Sequence, residues 1–144
     1  MDYDNSEVEE LWCNQCRNDV IAYLRRQNLV HGQVGEWPAW HLAPYISIWA
    51  IESKDNPGWV GWWAVAGDLP HDYVSASGIK HPREAMQAIA RRWHTAAEHM
   101  ARGSYPTDFS IGSPDSWPSL GPQLASRAEL LQSWAGDPEL WANL

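Results

Sequence analysis

The chain is short of positive charge, of cysteine and of long apolar runs, and each shortage removes a class of function. Its 144 residues hold 10 Lys and Arg against 18 Asp and Glu, a formal net charge of −8. Phosphate backbones and anionic lipid surfaces are gripped by basic patches, so neither nucleic acid nor a membrane is expected as a partner. No apolar stretch approaches the ~20 residues that cross a bilayer. The N-terminus is acidic and has no apolar signal core, so a cytoplasmic location is expected. Cys13 and Cys16 are the only cysteines, and in that compartment they should be reduced.

The pair lies in WCNQC, which has Cys-x-x-Cys spacing. A redox pair needs its first thiol at a helix N-terminus, where the helix dipole lowers the thiol pKa. Here both cysteines fall inside a predicted helix, behind an acidic turn that raises it. They read as thiols on the buried face. Zinc-finger spacing, Gly-x-Ser-x-Gly, a phosphate loop and a dinucleotide fingerprint are all missing. No catalytic residue, metal or cofactor is assigned, and an enzyme is the less expected class.

What the chain does have is tryptophan, 11 in all, and apolar content of 44%, enough for a folded core. Ser6 and Glu9 have capping-box spacing, and Val8, Leu11, Trp12, Cys16, Val20, Tyr23 and Leu24 follow at helical spacing. This predicts a helix over 6–28, ended by the breakers Gly32 and Gly35. Pro44–Ser53 and Trp59–Gly67 are rich in β-branched and aromatic residues around the turn KDNPG, which predicts an antiparallel hairpin. YVSAS at 73–77 is a candidate third strand. A helix opens at Pro82, carries the stripe Met86, Ile89, Trp93, Ala96, Ala97 and Met100, and closes at Gly103. His94 and His99 fall off that stripe, toward solvent. The Pro/Gly/Ser-rich stretch 104–121, with Tyr105, Phe109, Ile111 and Trp117, is too apolar for a free linker and is expected to pack over the core. A last helix is expected over 122–135, then a turn capped by Asp137 with Pro138 behind it. The class is α+β: one domain over 1–144, a small antiparallel sheet of two to four strands packed by about three helices.

Both faces of the hairpin strands are apolar. A sheet with one wet face alternates apolar with polar, so this hairpin should be covered on both sides. Trp49, Trp62 and Trp63 then belong to the core, and a sugar platform, which needs flanking polar groups, finds none along the strand. The loops differ. GEWPAWH and GDLPHDY hold Glu36, Trp37, Trp40, His41, Asp68, His71, Asp72 and Tyr73. The first leads into one hairpin strand and the second leaves the other. In an antiparallel pair those two points lie side by side. An exposed aromatic and acidic patch is expected there.

GEWPAWHLAPYISIWAIES, PGWVGWWAVAGDLPHDY and IKHPREAMQAIARRW, within about residues 8–103, resemble in their Trp, Pro and Gly spacing a family of small uncharacterised bacterial proteins, a domain of unknown function. The resemblance implies no catalytic residue. By analogy of size and charge alone, such proteins often act as immunity proteins. The expected function is a non-enzymatic protein-binding module, an immunity-type inhibitor of a bacterial toxin or effector, whose partner is a protein such as a cognate toxin. Tryptophan and tyrosine anchor interfaces, and carboxylates steer a basic partner. The alternative is a small-molecule-binding protein or enzyme with a pocket between loops 31–43 and 67–81.

Overall fold

Asparagines set both ends of the first helix, α1 (Ser6–Arg26). The Asn5 side chain accepts from the N–H groups of Glu7 and Val8 at 2.9 and 3.3 Å. The cap is thus one residue earlier than the capping box placed it, because asparagine caps as well as serine. At the other end Asn28 turns left-handed (φ 57°). Asn28 N–H then donates to Arg25 O, and Leu29 N–H to Leu24 O, at 3.0 and 3.2 Å. This is a Schellman stop with asparagine where glycine is commoner, and it ends the helix ahead of Gly32.

The computed structural model describes residues 2–102 and 117–142, with side chains in the second stretch from Leu120 onward. Its backbone groups into two compact units, Met1–Ala85 and Met86–Leu144.

In the first unit α1 precedes a four-stranded antiparallel sheet. The strands are β1 (Trp40–Leu42), β2 (Ile46–Glu52), β3 (Val60–Gly67) and β4 (Asp72–Ser75), and sheet order equals chain order. The expected hairpin is β2–β3, paired Trp49 to Ala64 and Ile51 to Trp62, with a register shift at Ile51/Glu52. β4 is the candidate third strand, one residue early at its start. β1 was expected to be loop, since three residues beside Pro38 are too short to display a period of two. The α+β class and the small antiparallel sheet are as expected.

Cys16, Val20 and Leu24 of α1 pack with Val34, Trp49, Ile51, Ala64 and Ala66 on one sheet face. Ile46, Ile48, Trp63 and Val65, on the other face, are buried as well. Trp62 is half-buried against the core, while Trp59 stands 74% exposed. The first face contains one fully buried hydroxyl, Ser47. Its Oγ donates to Ala66 O at 3.0 Å and accepts from Trp49 Nε1 at 2.8 Å. That relay satisfies the Trp49 N–H, which would otherwise cost about 1–3 kcal/mol unpaired.

The second helix, α2 (Pro82–Ala101), starts in the first unit and runs into the second. Its expected stripe is buried from Met86 to Met100, and His94 is exposed, 3.3 Å from Glu98 one turn on. α3 (Trp117–Ala135) begins a turn and a half earlier than expected and runs through Pro122. Proline marks a helix start more often than a helix interior, so local pattern alone begins the helix at Pro122. Within this unit a Cβ on Gly121 would sit 3.4 Å from Met100 Cβ, so α3 crosses α2 closely at that glycine. Asp137 caps the short 3-10 turn Pro138–Trp141 as expected, accepting from Glu139 N–H at 3.1 Å. The Gly103 cap and the packing expected of Tyr105, Phe109, Ile111 and the Trp117 side chain lie outside what the structure describes.

Candidate functional site

The segment before β1 runs antiparallel along the outer side of β2. Gly32 N–H donates to Glu52 O at 2.9 Å, Gly35 N–H to Ala50 O at 3.1 Å, and Ala39 N–H to Ile48 O at 2.8 Å. Arg17 reaches over from α1: its Nε donates to Gly35 O at 2.9 Å and its Nη2 to Val34 O at 3.0 Å. The chain is therefore fastened at Val34–Gly35 and again at Ala39. Glu36 and Trp37, between the fastenings, face outward and are exposed, Trp37 by 46%.

Trp37 is backed by a stack. Its ring meets His41 edge-to-face at 5.5 Å, and His41 lies 6.3 Å from Trp12 of α1. His41 Nε2 is 3.6 Å from Glu9 Oε1. Edge-to-face pairs of this kind contribute about 0.5–1.5 kcal/mol beyond area burial, which biases Trp37 toward this orientation. Glu9 and Trp12 were read in the sequence only as helix-start charge and core stripe. The signal was present: residues three apart on a helix share a face, and Glu9 and Trp12 both meet His41.

His71 and Tyr73 lie at the opposite edge, on β4 and the link before it. Both rings pack on Tyr23 of α1, at 5.7 and 6.0 Å. Burial pushes the His71 pKa below its usual value; Asp19 opposes the shift and Arg26 adds to it. Asp68 is exposed, and its N–H donates to Tyr45 O at 3.0 Å.

Asp68 bonds to Tyr45 of the β1–β2 turn, a residue outside both loops, and the eight candidate residues do not form one patch. Glu36, Trp37 and His41 belong to the β1 edge, and His71 and Tyr73 to the β4 edge, with β2 and β3 between them. Only Glu36, Trp37 and Asp68 of the eight are exposed; His41, His71 and Tyr73 are half-buried, and two are buried outright. Trp40 pairs with Ile48 and Asp72 with Val65, which turns both side chains onto the face opposite α1. There they are 8% and 2% exposed, and Asp72 Oδ1 accepts Tyr73 N–H at 2.9 Å. Strand pairing, invisible in a loop-like sequence, decided this.

Cys13 and Cys16 are free and buried. Burial first, then Cys16 and Glu9, pushes the Cys13 thiol up to about 12. Burial also raises Cys16, against a hydrogen bond with Ser47 that lowers it. Both stay protonated at neutral pH, so neither is an activated thiolate. Among the described residues no group of three His, Cys, Asp or Glu side chains is placed to hold a metal. No described helix is long and apolar enough to cross a membrane. A shallow, open depression of about 590 Å³ lies at the β2–β3 turn, beside Trp59.

A family model described as "Domain of unknown function (DUF4826)" matches residues 6–141. The chain belongs to this family. The DUF4826 match begins at the first residue of α1 and ends at the last residue of the 3-10 turn, so it takes in both units and runs well past the 8–103 span of the sequence resemblance. No curated protein and no solved structure matches the chain.

Proposed function

We propose that this DUF4826 chain is a non-enzymatic protein-binding module, an immunity-type inhibitor of a bacterial toxin or effector, and that the β1 edge makes the contact. One observation carries the reading: Trp37 is exposed while its orientation is biased by His41, Trp12 and the Arg17 clamp. A large aromatic already biased toward its bound orientation loses less freedom on association, which is how interface anchors concentrate affinity. Glu36 beside it and the acidic start of α1 supply negative charge for steering a basic partner.

The test is affinity capture from native lysate with the wild-type chain and with Trp37→Ala and Glu36→Gln. A partner retained by the wild type should be lost with Trp37→Ala, with the fold unchanged by circular dichroism. Glu36→Gln should slow association and weaken its salt dependence, since steering is screened within roughly 8–10 Å at ordinary ionic strength. Equal capture by wild type and Trp37→Ala rejects the β1 edge.

A further inference from the structure

The depression at the β2–β3 turn is separate from the β1 edge and has a different chemistry. Trp59, 74% exposed, and Val60, 42% exposed, form its apolar side. Ser53, Asn56, Ser75 and Ser77 supply hydroxyl and carboxamide groups around it. The described residues that line it include no charged side chain.

The backbone that carries Trp59 is held in the turn. Trp59 N–H donates to Asn56 O at 3.1 Å, and Trp59 O accepts from Ser53 N–H at 2.8 Å. Ala76 N–H donates to Gly61 O at 2.9 Å, which ties the β4 side to the β3 side. Gly61 lets Ser53 approach closely: a Cβ there would sit 3.1 Å from Ser53 Cα. Ser53 Oγ accepts from Asn56 N–H at 3.3 Å, and Ser75 Oγ from Ser77 N–H at 3.2 Å, which orients both hydroxyls and leaves each O–H able to donate.

We infer that this depression is a binding site for a neutral saccharide, with Trp59 as the platform for a pyranose ring and Ser53, Asn56, Ser75 and Ser77 as partners for its hydroxyls. A sugar ring has an apolar face of C–H groups and a rim of hydroxyls, and it needs a flat aromatic beside several neutral donors and acceptors. That set is what the depression offers. Nucleotides and sugar phosphates need cationic or backbone-amide cradles for their charge. Proline-rich peptides dock in grooves lined by aromatics, whereas here one indole stands among small polar groups. The polar flank that the strand sequence lacks comes from β4 and the turn, which the fold brings alongside Trp59.

The probes are cellobiose, chitobiose and maltotriose, titrated into the full chain while its indole ¹H–¹⁵N resonances are followed, with Trp59 assigned from Trp59→Phe. The expected result is a saturable shift of the Trp59 resonance with at least one saccharide. Trp59→Ala should abolish binding, read from the backbone amide resonances of Ser75 and Ser77, at an unchanged melting temperature. Asn56→Ala and Ser75→Ala should each weaken it by about 3- to 10-fold, the loss of one or two hydrogen bonds. No shift with any of the three, a shift that survives Trp59→Ala, or a shift with a decaproline peptide in their place overturns the assignment.

Discussion

The two ends of the β2–β3 hairpin use the same residue types to opposite effect. Each has a glycine in left-handed backbone, and along β3 and its turn the nearest tryptophan is Trp59 for Gly58 and Trp63 for Gly67. At the turn end, Gly58 (φ 89°) has nothing within 4 Å of a would-be Cβ, and Trp59 stands in solvent. At the closed end, Gly67 (φ 137°) would place a Cβ 2.5 Å from Tyr45 O. Trp63, between the two ends, is 5% exposed, and its Nε1 donates to Ile79 O at 2.9 Å. Tryptophan and glycine content therefore say little about role. Register and neighbouring backbone decide it.

The contrast can be broken by substitution. Trp63→Ala should be the most damaging, at about 3–5 kcal/mol, because it empties a buried site and orphans the Ile79 carbonyl. Gly67→Ala should cost roughly 1–3 kcal/mol, since both the conformation and the Tyr45 carbonyl oppose it. Gly58→Ala meets only the conformational penalty and should cost about 1 kcal/mol. Trp59→Ala should change stability by no more than about 0.5 kcal/mol. Urea titrations of the four variants measure all of these, and a Trp59→Ala loss equal to that of Trp63→Ala would erase the distinction.

The ends should also answer to different pH ranges. Near the turn end, Glu52 accepts from Gln33 and Gly58 N–H groups, both at 3.0 Å, and these bonds hold its pKa below the usual 4.5. The unfolded chain then takes up this proton more readily, so the stability Glu52 contributes is complete above 4.5 and lost as pH falls through its folded value. His71, near the closed end, has a pKa depressed below 6.5 by burial. Its folded form also resists the proton, so stability starts to fall once pH drops below 6.5 and keeps falling toward the lowered value. Melting temperature against pH should lose its upper slope in His71→Gln and part of its lower slope in Glu52→Gln. A His71→Gln profile identical to wild type would remove the histidine from the account.

Much of this architecture is written in local patterns. The helical spacing from Val8 to Leu24, the two-faced apolar strands, the α2 stripe and Asp137–Pro138 each report a local preference, and each holds in the structure except at Leu11, which is 71% exposed on α1, and at Trp59 and Val60, which are exposed where the second strand begins. What the sequence hides depends on partners distant along the chain. β1 exists because its backbone bonds to β2. Trp40 and Asp72 are buried because pairing turns them to one face. The site residues Glu9 and Trp12 gain their meaning from His41, about 30 positions away and adjacent only once α1 lies on the sheet. Asn28 shows a subtler limit: glycine is the commoner stop, and two glycines followed within a few residues.

The buried thiols of α1 also make the helix a chronometer of its own motion. A thiol reagent reaches Cys13 and Cys16, at 0% and 3% exposure, when the helix lifts from the sheet. The labelling rate divided by the rate of a free thiolate, corrected for ionisation, then yields the opening equilibrium of one element. The cysteines lie about one helical turn apart. If α1 detaches as a unit, both react with one rate constant. If it unwinds from an end, the two clocks disagree, and the order in which they run out gives the direction of unwinding.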